Sequence, residues 1–388
     1  MFMSSPQSVG GYYLNKQRHM TKKQVVLYSI LAICMIGSFI FVYNNHAFYE
    51  RPIAKVVETN VEDSTEVVDR YDNEDRVFTQ QMKAKIKNGA EKGQLIYLTN
   101  KYSLSGAYDQ EYEVGNELFI GIDEGEGQDA YLTGAIQDVK RDTYLLPVVW
   151  IFIFTLLLIG KRQGFYSVIS LVVNALLLSY ALDIYVKYDN VSLLLICGVT
   201  VILFTVISLL LVSGFNEKTY AAIIATLLGT FVSLLIAYLV LWITNENGLR
   251  YEAMDFLTRP YQVVFLAGLF IGSLGAVMDV AISIAASIFE MHEEDPRIST
   301  KALRKSGMDI GKDIMGTMTS ILFFVYISGS IPMLILYLKN GSPLNFTLSL
   351  NLSLELARAL AGGIGIVLAI PIGVYVSILF VHRKRAKV

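Results

Sequence analysis

Residues 263–289 read VVFLAGLFIGSLGAVMDVAISIAASIF, an apolar run broken by one charged side chain, Asp279. A largely apolar stretch of about 18 or more residues is long enough to cross a bilayer as an α-helix. Seven further stretches read the same way: 25–43, 144–160, 164–182, 191–214, 219–243, 314–338 and 356–381, the second being the shortest. The whole chain agrees, with 54% hydrophobic and only 17% charged residues over 388 positions, a balance too apolar for an ordinary soluble domain. The expected fold class is an α-helical polytopic membrane protein of about eight transmembrane helices, with a small β-rich extracellular domain inserted after the first.

Lysine and arginine set the expected orientation. With a cytoplasmic N-terminus, the inside segments carry sixteen: Lys16, Arg18, Lys22, Lys23, Lys161, Arg162, Lys218, Arg297, Lys301, Arg304, Lys305, Lys312, Arg383, Lys384, Arg385 and Lys387. The short outside loops carry four, Lys187, Arg250, Arg259 and Lys339. That asymmetry is the positive-inside signal, and an even number of spans returns both termini to the cytoplasm of a cell-membrane protein. The first apolar run is longer than the roughly 7–15 residues of a signal peptide core and no small-x-small site follows it, so it reads as an anchor. The domains expected are a cytoplasmic tail (1–24), an anchor (25–43), an extracellular domain (44–143), and a seven-helix bundle ending in a cytoplasmic tail (144–388).

The extracellular stretch is acidic, with 20 Asp or Glu against 11 Lys or Arg between residues 44 and 143. Such a balance keeps a domain solvated. From Val77 onward RVFTQQMKAKI, GQLIYLTN, VGNELFIGI and DAYLTGAIQDV are short alternating or apolar runs split by glycine-containing turns. Four strands of this kind suggest a small barrel of OB or SH3 type, and the charged stretch before about residue 75 reads as a linker or stalk. Cys34 and Cys197 fall in separate apolar runs, so no disulfide framework is expected. His19, His46, His292 and His382 fall in tails, loops or at span ends, and neither a metal site nor a cofactor is expected.

At about 100° per residue, Gly268, Gly272, Gly275, Asp279, Ser283, Ala286 and Glu290 share one helix face, opposite Leu269, Phe270, Leu274, Val277, Ile284 and Ile288. Small residues let another helix approach closely in lipid, so Asp279 is expected to face protein or a hydrated crevice. A charged aspartate at a helix centre costs roughly 2.5–3.5 kcal/mol on insertion scales. Two readings stay open: a protonated carboxyl bonded to a neighbouring helix, or a group that couples proton or ion movement to function. Asn174, Thr317, Thr319 and Ser320 are the candidate donors to it. In LELARALAGGIGIVLAIP, Glu355, Arg358, Gly362 and Gly365 share another face, with Glu355 and Arg358 spaced to pair near the outer end and to reach Asp279 through water at most. The glycines Gly268, Gly272, Gly275, Gly362 and Gly365 are candidate packing or pathway positions.

Three further stretches carry expectations. LNFTLSLNLSLE, residues 344–355, alternates with period two and reads as a strand at the outer surface. Pro332 and Pro371 are expected to kink their spans. STKALRKSGMDIGKDI, residues 299–314, opens on an N-cap at Ser299 or Thr300 and reads as a helix along the cytoplasmic surface. Its GMDIGK is no phosphate loop, because three residues rather than four separate Gly307 from Gly311. The spans also lack Gly-x-Gly-Asp, His-Glu-x-x-His and Gly-x-Ser-Gly, so the chain is not expected to be an enzyme.

GSLGAVMDVAISIAASIFE, KALRKSGMDIGKDIMGTMTSILFFVYISGSIP and ARALAGGIGIVLAIPIGVYVS resemble the signature regions of the YibE/F membrane proteins. KGQLIYLTN, YEVGNELFIGI and KRDTYLLP are similar to the N-terminal portion of the longer, YibE-type members. The resemblance implies a polytopic membrane protein with an external domain, and no substrate. The partners expected are the lipid bilayer together with a shorter companion of the same family lacking the external domain, or a second copy; no nucleic acid is expected. The function expected is a transporter or exporter, or a subunit of one, driven by protons if Asp279 titrates. The alternative is a scaffold or sensor whose external domain binds an envelope or protein partner.

Overall fold

A computed structural model describes residues 22–106, 109–123, 132–188, 191–254 and 260–385. Lys16, Arg18, His19, Arg259, Lys387, most of the expected N-terminal tail and the first residues of the last expected strand lie outside the described residues. The chain divides into two compact units, one of residues 1–69 and 74–152 and the other of residues 70–73 and 153–388.

In the first unit helix α1 (Lys22–Asn44) and a 3-10 turn (Asn45–Phe48) lead into five strands. These are β1 (Ile53–Val68), β2 (Glu74–Ile86), β3 (Leu95–Ser103), β4 (Glu117–Ile122) and β5 (Leu132–Val139), closed into a barrel in the order β1-β2-β3-β5-β4. The β3–β5 pair is parallel and the others are antiparallel. Alternate residues fill the interior: Ala54 and Val56, Met82, Ala84 and Ile86, Ile96 and Leu98, Leu118 and Ile120. This is the period-two pattern of a strand with one face on a core.

Five strands stand where four were expected, because β1 occupies the supposed linker. Only its first residues, Ile53, Ala54 and Val56, are buried. Beyond them, charged and polar residues are held by a backbone ladder to β2 that runs from Ala54–Ile86 to Val68–Glu74. Ladder bonds need no apolar side chains, so this part of β1 left no hydrophobic alternation to read.

Seven helical segments among the described residues are long and apolar enough to cross a membrane. After α1 come α2 (Asp142–Lys187), α3 (Leu193–Ser213), α4 (Glu217–Thr244), α5 (Tyr261–Gly272), α6 (Leu274–Glu294), α7 (Thr300–Ser328), α8 (Ile331–Lys339) and α9 (Leu344–Arg385). The expected runs 144–160 and 164–182 both lie in α2, which turns at Lys161, whose φ of 47° and ψ of −117° are not helical. A Cβ at Gly164 would run into the backbone of Leu156, so the close approach across that turn requires glycine there. The interior of the second unit is where α4, α6, α7 and α9 meet, with Val277, Val280, Ile284 and Ile288 of α6 against Ala221 and Ala222 of α4 and Ile366, Ala369, Ile370 and Val374 of α9.

Three local expectations are corrected or refined. LNFTLSLNLSLE opens α9 and is not a strand. A helix satisfies its backbone internally where a lone strand would leave every group unpaired, and Leu344, Leu348, Leu352 and Leu356 recur at the helical spacing of four. Pro332 sits in the first turn of α8, after a break at Gly329 and Ser330, where its missing N–H costs nothing, while Pro371 lies inside α9. Ser299 does cap a helix, its hydroxyl accepting from the Ala302 amide at 3.2 Å. That helix is α7 itself, which continues unbroken to Ser328.

Candidate functional site

Ser273 joins α5 to α6 with near-helical dihedrals, φ −84° and ψ −16°, so the two helices carry one continuous face. Leu269, Phe270, Leu274, Val277, Ile284 and Ile288 are buried on one side, and Gly268, Gly272, Gly275, Asp279, Ser283 and Glu290 are exposed on the other. No described residue makes a hydrogen bond or ion pair to the Asp279 carboxylate. The Ser283 hydroxyl donates to the Asp279 backbone carbonyl at 2.7 Å.

The four candidate donors are engaged or placed elsewhere. Asn174 Nδ2 donates to Ser208 Oγ at 2.7 Å, and Ser170 Oγ bonds the same hydroxyl at 2.9 Å, which ties α2 to α3. Thr317 and Ser320 return their hydroxyls to the Ile314 and Gly316 carbonyls of α7. Thr319 Oγ1 is buried without a hydrogen-bond partner among the described residues, and its side chain borders an apolar pocket of about 370 Å³ between α7 and α9.

Towards the α5 end the glycine face receives side chains from α7 and α9. A Cβ on Gly272 would collide with the Tyr326 hydroxyl, and that hydroxyl is buried with no hydrogen-bond partner among the described residues. A Cβ on Gly268 would sit 3.9 Å from Arg358 Nε. Arg358 pairs with Glu355, and its guanidinium lies 5.3 Å from the centre of the Phe265 ring, a cation–π arrangement. Gly362 gives room to Leu322 and Ser273, and Gly365 to Val277 and Ser233. Gly275 has open space where its Cβ would be.

Towards the α6 end the same face enters a pocket of about 690 Å³ bordered by Ala286, Glu290 and Glu293 of α6, Glu217 and Lys218 of α4, and Lys384 of α9. Glu293 and Lys384 pair at 3.5 Å, while Glu217 Oε2 is buried without a hydrogen-bond partner among the described residues. Asp279 lies midway, eleven residues from Gly268 and eleven from Glu290 in sequence, or about 16 Å each way along a helix.

A family model described as YibE/F-like protein matches residues 148–383, and one described as YibE/F family N-terminal domain matches residues 47–139. The chain belongs to the YibE/F-like family. No curated protein and no solved structure matches it.

Two parts of this YibE/F-like site escaped the sequence. Tyr326 stands in ILFFVYIS, where a tyrosine reads as one more amphipathic side chain; its spacing from Thr319 and Leu322 put it on their face, but only the fold reveals Gly272 opposite. Glu217 lies in the first turn of α4, behind the Asn216 cap whose Oδ1 accepts from the Thr219 amide at 2.9 Å. An acidic residue there reads as a dipole partner, and its position beside Glu290 is a product of the packing of α4 on α6.

Proposed function

We propose that the chain is a multi-pass membrane protein, a transporter or exporter or a subunit of one, and that Asp279 takes up and releases a proton during its cycle. The observation that carries this reading is a carboxylate without a partner among the described residues, midway along an apolar helix, on a face joining a hydroxyl and an ion pair at one end to a pocket bordered by Glu217 and Glu290 at the other. A purely structural aspartate in an apolar helix would be bonded to a neighbour, because an unmatched polar group in hydrocarbon is costly.

The seven apolar helices and their exposed apolar side chains, among them Ile151, Leu158, Leu176, Leu195 and Ile243, support the membrane setting. The Lys161 turn supports eight crossings, and the lysine and arginine distribution supports a cytoplasmic Glu290 pocket with residues 44–143 outside. The strand order with its parallel β3–β5 pair supports an OB-type barrel. The exposed face at Gly275, Asp279 and Ser283 fits a second membrane helix, from another copy or a shorter family member.

Asp279→Asn tests the central step. Asparagine keeps the size and hydrogen-bonding capacity of the carboxyl but cannot exchange a proton. At matched membrane abundance the variant is expected to lose activity at least about tenfold and to lose its pH dependence between about pH 5 and 8, read as growth complementation or as flux in proteoliposomes. Profiles that superimpose on wild type would remove proton coupling and leave packing, with the scaffold or sensor reading in its place.

A further inference from the structure

On the outer face of the barrel, Lys55 of β1 stands directly opposite Lys85 of β2, and the Lys87 amide donates to the Ile53 carbonyl at 2.7 Å, which brings a third lysine alongside. Directly opposed side chains on neighbouring strands have Cβ atoms about 4.5–5.5 Å apart, and like charges so placed repel. The domain has no shortage of acids to prevent this, with 20 against 11 basic residues. Some of its cations use them: Lys83 pairs with Glu58 at 2.8 Å, Arg76 with Glu66 at 2.5 Å and Lys140 with Asp142 at 2.8 Å. None of the three ammonium groups at 55, 85 and 87 has an ion pair or hydrogen bond to a described residue. Glu117, opposite Lys55 on β4, is occupied by His46 at 3.0 Å and Lys140 at 3.4 Å.

The three lysines border one pocket of about 300 Å³, closed on its other side by Val57, Val114 and Gly115. Val57 falls at a register shift in the β1–β2 ladder, and it and Val114 are 51% and 62% exposed. Gly115 has a φ of +103° with open space where a side chain would project, which leaves the mouth clear. The pocket therefore joins three uncompensated positive charges to an exposed apolar rim.

We propose that Lys55, Lys85 and Lys87 form a binding site for a phosphate group. A carboxylate would leave most of this charge uncancelled, whereas phosphate offers more charge and several acceptor oxygens, and lysine binds it as a point charge. The phosphate is either that of an anionic lipid headgroup or a free anion. The apolar rim and the place of the pocket favour the headgroup: β1 begins at Ile53 shortly after α1 ends at Asn44, and Glu117 is bonded through its carbonyl to the Lys140 amide just before α2 begins. The headgroup assignment rests on the proposed membrane setting; the phosphate chemistry does not.

The test uses the full-length protein in a neutral detergent, titrated calorimetrically with inorganic phosphate and with short-chain phosphatidylglycerol, phosphatidylcholine of equal chain length serving as the neutral control. Wild type is expected to bind phosphatidylglycerol over phosphatidylcholine, and K55Q/K85Q/K87Q to weaken that binding at least tenfold with an unchanged melting temperature. Binding of inorganic phosphate alone, lost in the triple variant, supports the site and assigns it to the free anion. The exposed single variant Lys85→Gln is expected to weaken binding about threefold and serves if the triple variant does not fold. K92Q/K101Q, which removes two lysines of the same barrel outside the pocket, is expected to bind as wild type does. Absence of binding by either phosphate compound, equal binding by the triple variant, or equal loss in K92Q/K101Q would overturn the site. Asp279→Asn leaves this titration unchanged, so failure here and failure of proton coupling are separate results.

Discussion

At Gly272 the space a single methyl group would need is taken by the tip of the Tyr326 side chain from α7. A Cβ there would collide with the Tyr326 oxygen, whereas the ring carbon bearing that oxygen lies 3.3 Å from the same point. Gly272→Ala is therefore expected to destabilise by about 1–3 kcal/mol, the usual range for overpacking. Tyr326→Phe removes the colliding atom. Alone it should be close to neutral in stability, because the hydroxyl it deletes is buried without a hydrogen-bond partner among the described residues and an unmatched polar group gives the fold nothing. The double variant should then recover much of the alanine cost, with a coupling of about 0.5–3 kcal/mol. Thermal unfolding of the four proteins in one detergent measures this, and strictly additive effects would show that the two residues do not meet. If the Tyr326 hydroxyl also relays protons to Asp279, Tyr326→Phe lowers activity while stability holds. Asp279 was legible because one charge in an apolar run is conspicuous on any helix wheel. Tyr326 was not, because its importance lies in what stands opposite it, and spacing along one helix carries no information about the next.

Elements were legible where side chains shape them and hidden where the backbone does. The apolar helices and strands β2 to β5 declare themselves through buried faces with periods near 3.6 and 2. The outer part of β1 is held by ladder bonds to β2, and the start of α9 alternates leucine with polar residues while also repeating every four, so both conflict with a reading by period alone. The β1 correction has a measurable consequence. Residues 50–141 contain every strand of the barrel and should fold alone with mainly β circular dichroism and a cooperative melt. Residues 75–141 lack β1, which leaves β2 and β4 as open edges and removes Ile53, Ala54 and Val56 from the interior. The shorter fragment should be unfolded or aggregated, since an unpaired apolar edge templates association. A cooperative β-rich fold from 75–141 would show that the barrel closes without its first strand.

For the molecule as a whole, the placement of charge must agree with the number of crossings. Seven apolar helical segments are present among the described residues, and seven crossings would put the termini on opposite sides; if the turn at Lys161 makes two crossings of the two arms of α2, the count becomes eight. The two counts differ sharply in what they require of the Lys161 turn. With eight crossings, Lys161 and Arg162 face the cytoplasm in company with Lys218 and the basic first turns of α7, and the acidic barrel lies outside. With α2 as one long crossing, Lys161 and Arg162 would be buried in hydrocarbon, at about 2.5–3.5 kcal/mol each. Single cysteines separate the two counts in a background where Cys34, which is exposed, and Cys197 are replaced. Cysteines at Lys187, Asn247 and Gly341 should react with an impermeant maleimide in intact cells, and those at Gln163, Glu217 and Ser299 only after permeabilisation. Protection of Gln163 under both conditions would place the turn within the bilayer and break the eight-crossing arrangement. Labelling of Ser299 from outside would invert the bundle and put the Glu290 pocket on the wrong side for a cytoplasmic proton mouth, so the orientation on which the Asp279 mechanism depends is decided by these two positions.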